Sequence, residues 1–246
     1  MKKDIEILKI IIQKVLHYPY RLLGVTCEAS VRDITRQSSR LKKYLMAEET
    51  PTDLFLQYLD ELPRTVEGVD LAIQAISTDE SRLQHAIFWF WNNYPITDEP
   101  AFDMLKDGNT QEALDIWSKM IFEQETGTIK PVSNKNASAF HNWCILKLLL
   151  LEQEQPSNFY QNLAKIISVE MSMMDSQFWE QFKDSIVDKT YVISQEQLEL
   201  LFLSSLLDFQ DVCKIFWNRD IPDFVAKKDF CKKALDSLKA ELKEEI

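Results

Sequence analysis

Residues 108–120 read GNTQEALDIWSKM, and this stretch predicts a helix that follows a tight turn. Gly108 suits the turn because glycine adopts positive φ without steric cost. Thr110 is a residue type that caps helices. The apolar residues recur at helical spacing: Ala113, Leu114, Ile116, Trp117 and Met120. Residues 98–106 predict a preceding helix, since acids and Pro100 suit a helix start. The segment 98–120 therefore predicts a helical hairpin.

The same apolar spacing recurs along the rest of the chain. A short Tyr20–Leu23 turn is closed by Gly24, and Ser30 caps the helix that follows it. The other predicted helices span 4–16, 52–59, 65–76, 79–91, 137–151, 157–173, 176–187, 195–208, 210–218 and 224–245. No stretch shows a sustained strand alternation, and Thr190–Ile193 is too short to count. The predicted fold class is all-α.

Four consecutive aromatic residues, Phe88 to Trp91, lie inside the predicted helix that Ser77-Thr78-Asp79 caps. Aromatic side chains around a whole helix circumference are typical of a helix buried between neighbours. An exposed aromatic binding platform is the alternative. Burial in the core is favoured, since large exposed aromatic patches are uncommon on monomers.

The composition excludes several classes of protein. The chain has 246 residues, of which 46% are hydrophobic and 27% charged, as in a soluble globular protein. It has only 4 Gly, too few for the positive-φ positions of many hairpins and phosphate loops. A β-sandwich, a Rossmann domain and a P-loop enzyme are therefore disfavoured.

The charge is uneven along the chain. Residues 1–47 hold 10 Lys/Arg and 4 Asp/Glu, a balance of +6, whereas the remaining residues hold 18 and 35, a balance of −17. The net charge of −11 disfavours nucleic acid as a partner. Arg32, Arg36, Arg40 and Lys43 follow one another in steps of 4, 4 and 3, so they share one helix face. Such charges form either a solvated surface without a partner or a binding site, and we predict that this basic face binds an acidic protein.

No motif for catalysis, for a metal or for a cofactor is present in the sequence. His17, His85 and His141 have no partner at metal-ligand spacing, and the default interpretation of each is structural. Cys27, Cys144, Cys213 and Cys231 are far apart and predict buried, reduced thiols. We expect no catalytic residue and no cofactor, although a Cys–His pair that meets only in space stays open.

The chain is predicted to be cytoplasmic and not to bind a membrane. Its start leads into an amphipathic stretch rather than a clean apolar run with a cleavage site. The longest apolar stretches, Ile145–Leu151 and Leu198–Leu207, fall short of the 18 or so residues that a membrane span needs.

The stretch Tyr18–Val25, with Ala29-Ser30 and Ile34, resembles the opening of a J domain of the DnaJ family. In that family a short helix ends in Leu-Gly-Val and leads to a capped second helix with a Leu seven residues after the Ile, a place that Leu41 fills. The family's His-Pro-Asp, which stimulates a DnaK-type ATPase, is replaced by Met46-Ala47-Glu48. The resemblance thus implies chaperone contact through the basic second helix, without stimulation of the ATPase.

Residues 108–120 also resemble the turn and second helix of a tetratricopeptide repeat, in which Gly, a small residue and an aromatic residue take the places of Gly108, Ala113 and Trp117. Residues 139–143 resemble the first helix of the next repeat. The two resemblances imply a J-like module at 1–50 and a repeat domain at 51–246 that ends in a C-terminal capping helix. The combination is also similar to a family of bacterial proteins with no settled activity.

These observations predict a non-catalytic adaptor that binds proteins, either a DnaK-type chaperone or another acidic subunit, on the basic face. The alternative is a scaffold subunit of a defence-like or enzymatic complex whose catalysis lies in another chain. A third hypothesis is an enzyme whose site assembles in space. It requires a pocket where His141 or His17 meets Cys or carboxylate side chains.

Overall fold

The computed structural model describes residues 19–49, 64–150 and 159–206. These residues form ten helices: α1 Pro19–Leu23, α2 Val31–Met46, α3 Val66–Ala75, α4 Asp79–Ala86, α5 Pro95–Lys106, α6 Thr110–Ile121, α7 Ala137–Leu150, α8 Phe159–Met174, α9 Trp179–Ile186 and α10 Gln195–Leu206. The described residues contain no strand, only one bridge between Phe122 and Ile129. The all-α prediction is confirmed for this part. The helices predicted at 4–16, 52–59, 210–218 and 224–245, the last of them the capping helix, lie outside the described residues.

Local capping signals define several helix starts as predicted. The Ser30 hydroxyl accepts a hydrogen bond from the Asp33 amide at 3.1 Å and caps α2. Thr78 caps α4 in a reciprocal capping box with Ser81. Each cap satisfies amides that the first helical turn leaves without an intrahelical partner.

The predicted starts of α5 and α6 need correction. The helix predicted at 98–106 begins three residues earlier, at Pro95, so that Pro100 lies inside α5. The Asp98 carboxylate folds back and accepts hydrogen bonds from the amides of Asn93 and Tyr94 at 3.1 and 2.8 Å. Asn109, and not Thr110, is the N-cap residue of α6.

The prediction that Phe88 to Trp91 lie in a helix is wrong, whereas their predicted burial is confirmed. Helix α4 ends at Ala86, and residues 87–94 cross the interior as irregular chain with all four aromatic side chains enclosed. The backbone of this aromatic segment, residues 87–94, bonds to distant groups: the Cys27 amide donates to the Phe90 carbonyl at 2.9 Å. Such tertiary partners replace the i to i−4 bonds of a helix.

The chain divides into two compact units between Gln195 and Glu196. In the first, α1 and α2 pack against α3, and α4 packs against α9. Helices α5 and α6 form a hairpin about Gly108, whose φ is 79°, and α7 and α8 follow in sequence, each packed on its predecessor. The second unit is described only at 196–206, where Leu198 and Phe202 are buried. The boundary predicted at residue 50 stays a prediction.

The apolar character of the helices agrees with this packing. Helix α7 is buried nearly all round, which suits its position between α6 and α8. Within the described ranges, every helix is too short or too polar to span a bilayer.

Candidate protein-docking face and buried polar network

The four cations predicted to bind a partner lie on the side of α2 that faces away from the core. The opposite side buries Ile34, Ser38 and Leu41. The cationic side chains, which form the basic face, are Arg32, Arg36 and Lys43, all exposed, and Arg40, which is half-buried. Helix α2 is about 24 Å long, and the basic face covers about 17 Å of it, from residue 32 to residue 43.

Nearby groups orient part of the basic face without burying it. Arg36 donates to Asp33 at 3.0 Å, with side chains that are 79% and 45% exposed. The Arg40 guanidinium lies 5.5 Å from the centre of the Tyr44 ring. The Ser30 hydroxyl, and then the Arg36 charge, lower the pKa of Asp33. Because water competes for exposed ion pairs, Arg36 stays available to a partner at little cost.

Two exposed apolar side chains mark the ends of the same helix. Val31 at the start of α2 is 69% exposed, and Met46 at its end is 71% exposed. Met46 lies nearer to the basic face than Val31 does, so an acidic partner that also carries an apolar side chain fits this end of α2, since burial of apolar area adds affinity that charge alone does not give.

An acidic cleft of about 500 Å³ lies beside the start of α2. Its carboxylates come from two separate stretches of the chain, residues 28–33 and 99–103: Glu28, Asp33, Glu99 and Asp103. Lys106 also lines the cleft and pairs with Asp103 at 2.8 Å. Burial raises the pKa of Glu28, whose carboxylate accepts a hydrogen bond from the Asn92 amide at 3.1 Å. The sequence did not indicate this cleft, because its acids meet only in the folded chain.

A buried polar network connects the aromatic segment to α5, α6 and α7. Asp98, which is 0% exposed, accepts from the indole of Trp117 at 3.1 Å and from the amide of Asn142 at 3.3 Å. The Asn142 side chain also bonds both backbone groups of Trp91 at 2.8 Å. Burial raises the pKa of Asp98, against the lowering effect of its hydrogen bonds. The network fixes irregular chain in the core.

A second buried cluster brings His141 on α7 to Glu170 on α8. Nδ1 of the ring lies 2.8 Å from a Glu170 carboxyl oxygen, and Nε2 lies 2.8 Å from the Trp89 carbonyl oxygen. The Cys144 thiol is buried on α7 and donates to the Ile166 carbonyl at 3.2 Å. Burial and the Glu170 charge raise its pKa well above the ordinary value. Because His141 and Glu170 are both 0% exposed, no substrate reaches them in this conformation.

The remaining candidate groups add no chemical site in the described ranges. Cys27 and Cys144 are buried free thiols as predicted, whereas Cys213, Cys231 and His17 lie outside these ranges. Burial lowers the pKa of His85. Among the described residues, no three His, Cys, Asp or Glu side chains are grouped to hold a metal ion.

Comparisons of the chain with protein-family models, with curated proteins and with solved structures gave no match.

Proposed function

We propose that the chain is a non-catalytic adaptor that docks an acidic protein on the basic face of α2. The observation that supports it is the placement of Arg32, Arg36, Arg40 and Lys43 on one outward side of a capped helix. Cations in this arrangement steer an acidic partner towards α2 and fix how it is positioned along the helix. Such binding requires no catalytic residue.

The partner class is an acidic protein surface, with a DnaK-type chaperone as the first candidate. The J-like resemblance of residues 17–47 motivates this choice, and α2 is the helix that would make the contact. Met46, Ala47 and Glu48 stand at the end of α2 where that family has His-Pro-Asp. We therefore expect binding to such a chaperone without stimulation of its ATPase.

The test is a titration of the purified full chain against a purified DnaK-type chaperone with ATP, read by fluorescence anisotropy and by phosphate release. We expect binding that weakens at least tenfold in the variant Arg32→Glu, Arg36→Glu, Lys43→Glu, and no rise in ATP hydrolysis with either protein. A matched control, Lys119→Glu, Lys135→Glu, Lys189→Glu, makes the same charge change at three exposed lysines elsewhere.

Equal binding by the two triple variants would overturn the docking face. An increase in ATP hydrolysis by the chaperone would overturn the expectation that a J-like module without His-Pro-Asp does not stimulate the ATPase. Absence of any binding by the unsubstituted chain would exclude the chaperone and leave an acidic subunit of an assembly as the partner, to be tested with the same two variants.

A scaffold subunit is the second candidate function. The acidic cleft beside the basic face supports it, because two neighbouring surfaces of opposite charge allow two partners to be held side by side. In a reconstituted complex, the triple variant of α2 should then release one partner and retain the other.

A further inference from the structure

The hydrogen bonds among His141, Glu170 and the Trp89 carbonyl determine how many protons the His141–Glu170 pair holds. A carbonyl oxygen only accepts hydrogen bonds, so Nε2 of His141 carries a proton where it lies 2.8 Å from the Trp89 carbonyl. The 2.8 Å contact between Nδ1 and Glu170 then requires one more proton. This proton resides on Nδ1 if the carboxyl group is ionised, or on the carboxyl group if the ring is neutral.

Either form holds one proton more than a neutral histidine and a free carboxylate. In an unfolded chain above about pH 7 the two residues adopt this second state, because a solvated imidazole is then neutral and a solvated carboxyl group is ionised. Both side chains are 0% exposed, so water cannot replace the missing hydrogen bond after the proton leaves. Folding above neutral pH therefore takes up a proton.

We propose that His141 and Glu170 form a proton-dependent clamp that joins α7, α8 and the aromatic segment, and that this clamp weakens as the pH rises above neutrality. The clamp holds three parts of the first unit: His141 lies on α7, Glu170 on α8, and Trp89 in the aromatic segment. It gives the fold a pH response that does not involve the basic face of α2.

Among the described residues, few other groups near the His141–Glu170 clamp can gain or lose a proton. On α7, Cys144 is the neighbouring titratable side chain, and its thiol bonds to the Ile166 carbonyl of α8. From α9, Phe182 presents only its ring, 4.8 Å from the imidazole centre. From the aromatic segment, Trp89 presents a carbonyl oxygen. Glu170 is thus the one described charge in contact with the imidazole.

The direction of the pKa shift of His141 also predicts that stability falls as the pH rises. Burial alone lowers this pKa, but the Glu170 charge and the hydrogen bonds to Glu170 and Trp89 raise it above the ordinary value. A raised folded pKa contributes stability that is complete below the unfolded value, near pH 6.5, and is lost as the pH rises through the folded value. In that window the folding equilibrium constant should fall tenfold per pH unit, or about 1.4 kcal/mol.

The experiment measures urea unfolding of the full chain at pH 7.0, 7.5 and 8.0, for the unsubstituted chain and for Glu170→Gln. A glutamine amide donates to Nδ1 of a neutral ring, so this variant keeps the contact without the extra proton. We expect the unsubstituted chain to lose up to tenfold in folding constant per pH unit relative to Glu170→Gln. His85→Gln is the control, because a lowered pKa acts only below pH 6.5.

Parallel pH dependence in the unsubstituted chain and Glu170→Gln would overturn the clamp. If Glu170→Gln does not fold, nitrogen NMR of the three histidine rings in the unsubstituted chain decides the question, with His85→Gln and His17→Gln to assign them. We expect the His141 ring to keep a proton on Nε2 and to show no titration near pH 6.5. Ordinary titration of that ring near pH 6.5 would overturn the proposal.

Discussion

The basic face of α2 and the network around Asp98 are built from similar polar and charged groups, but water reaches only the first. Arg36 and Asp33 are 79% and 45% exposed, so their ion pair competes with solvent. Asp98 is 0% exposed and receives hydrogen bonds from two backbone amides and two side chains. The enclosed groups stabilise one arrangement of the core, whereas the exposed groups remain available to a partner.

The largest effect in this comparison is expected for Asp98→Asn. Each carboxylate oxygen of Asp98 accepts hydrogen bonds from two donors. The side-chain nitrogen of an asparagine, in either orientation, would face two of these donors and could not bond to them. We expect a loss of about 3 kcal/mol in the free energy of unfolding, measured by urea denaturation. The control is Asp103→Asn on the same helix, where the side chain is exposed and pairs with the exposed Lys106.

A loss of similar size in both α5 variants would contradict the network, since it would show that charge on this helix matters regardless of burial. A small loss in Asp98→Asn alone would show that the core rearranges around an unsatisfied donor.

The sequence predicted those features whose causes lie within a few residues. Ser30 and Thr78 cap their helices through amides three residues ahead, and this spacing is visible in the sequence. The cations of α2 were predicted to share a face for the same reason, since steps of three and four residues follow from helix geometry. The helical character of the described residues and the outward position of the basic face follow from such local patterns.

The features that the sequence did not predict depend on distant partners. Residues 87–94 leave the helix because Asn142, about 50 residues later, supplies both hydrogen bonds to the Trp91 backbone. The contact of His141 with Glu170 spans 29 positions, and the acidic cleft collects residues from separate segments. Helical periodicity contains no information about such pairs, because it reports burial and not the identity of the neighbour.

An intermediate effect is expected for Trp89→Phe, which tests how the aromatic segment holds the chain near Gly24. The indole of Trp89 donates to the Val25 carbonyl at 2.7 Å. Trp91 is equally buried, and its indole nitrogen has no hydrogen-bond partner among the described residues. Trp91→Phe is therefore a control with the same change in volume and no lost hydrogen bond.

We expect Trp89→Phe to lower the free energy of unfolding by about 1 to 2 kcal/mol more than Trp91→Phe, measured by the same denaturation, because the Val25 carbonyl loses its donor. Equal losses would mean that packing alone fixes this contact. The hydrogen bond from Trp89 to Val25 would then contribute as little to stability as the exposed ion pairs do.

The smallest effect is expected for Arg36→Gln on the basic face. Its partner Asp33 stays bonded to the Ser30 hydroxyl at the N-terminus of α2, so the cap survives the change. We expect the urea midpoint to be unchanged within error in both low and high salt, because an exposed ion pair within one helix adds little in water. A clear loss of stability would show that Arg36 has a structural role in α2. Weaker partner binding by the charge-reversed variants could then result from damage to the helix. If the urea midpoint is unchanged, a loss of binding can be assigned to the basic face itself.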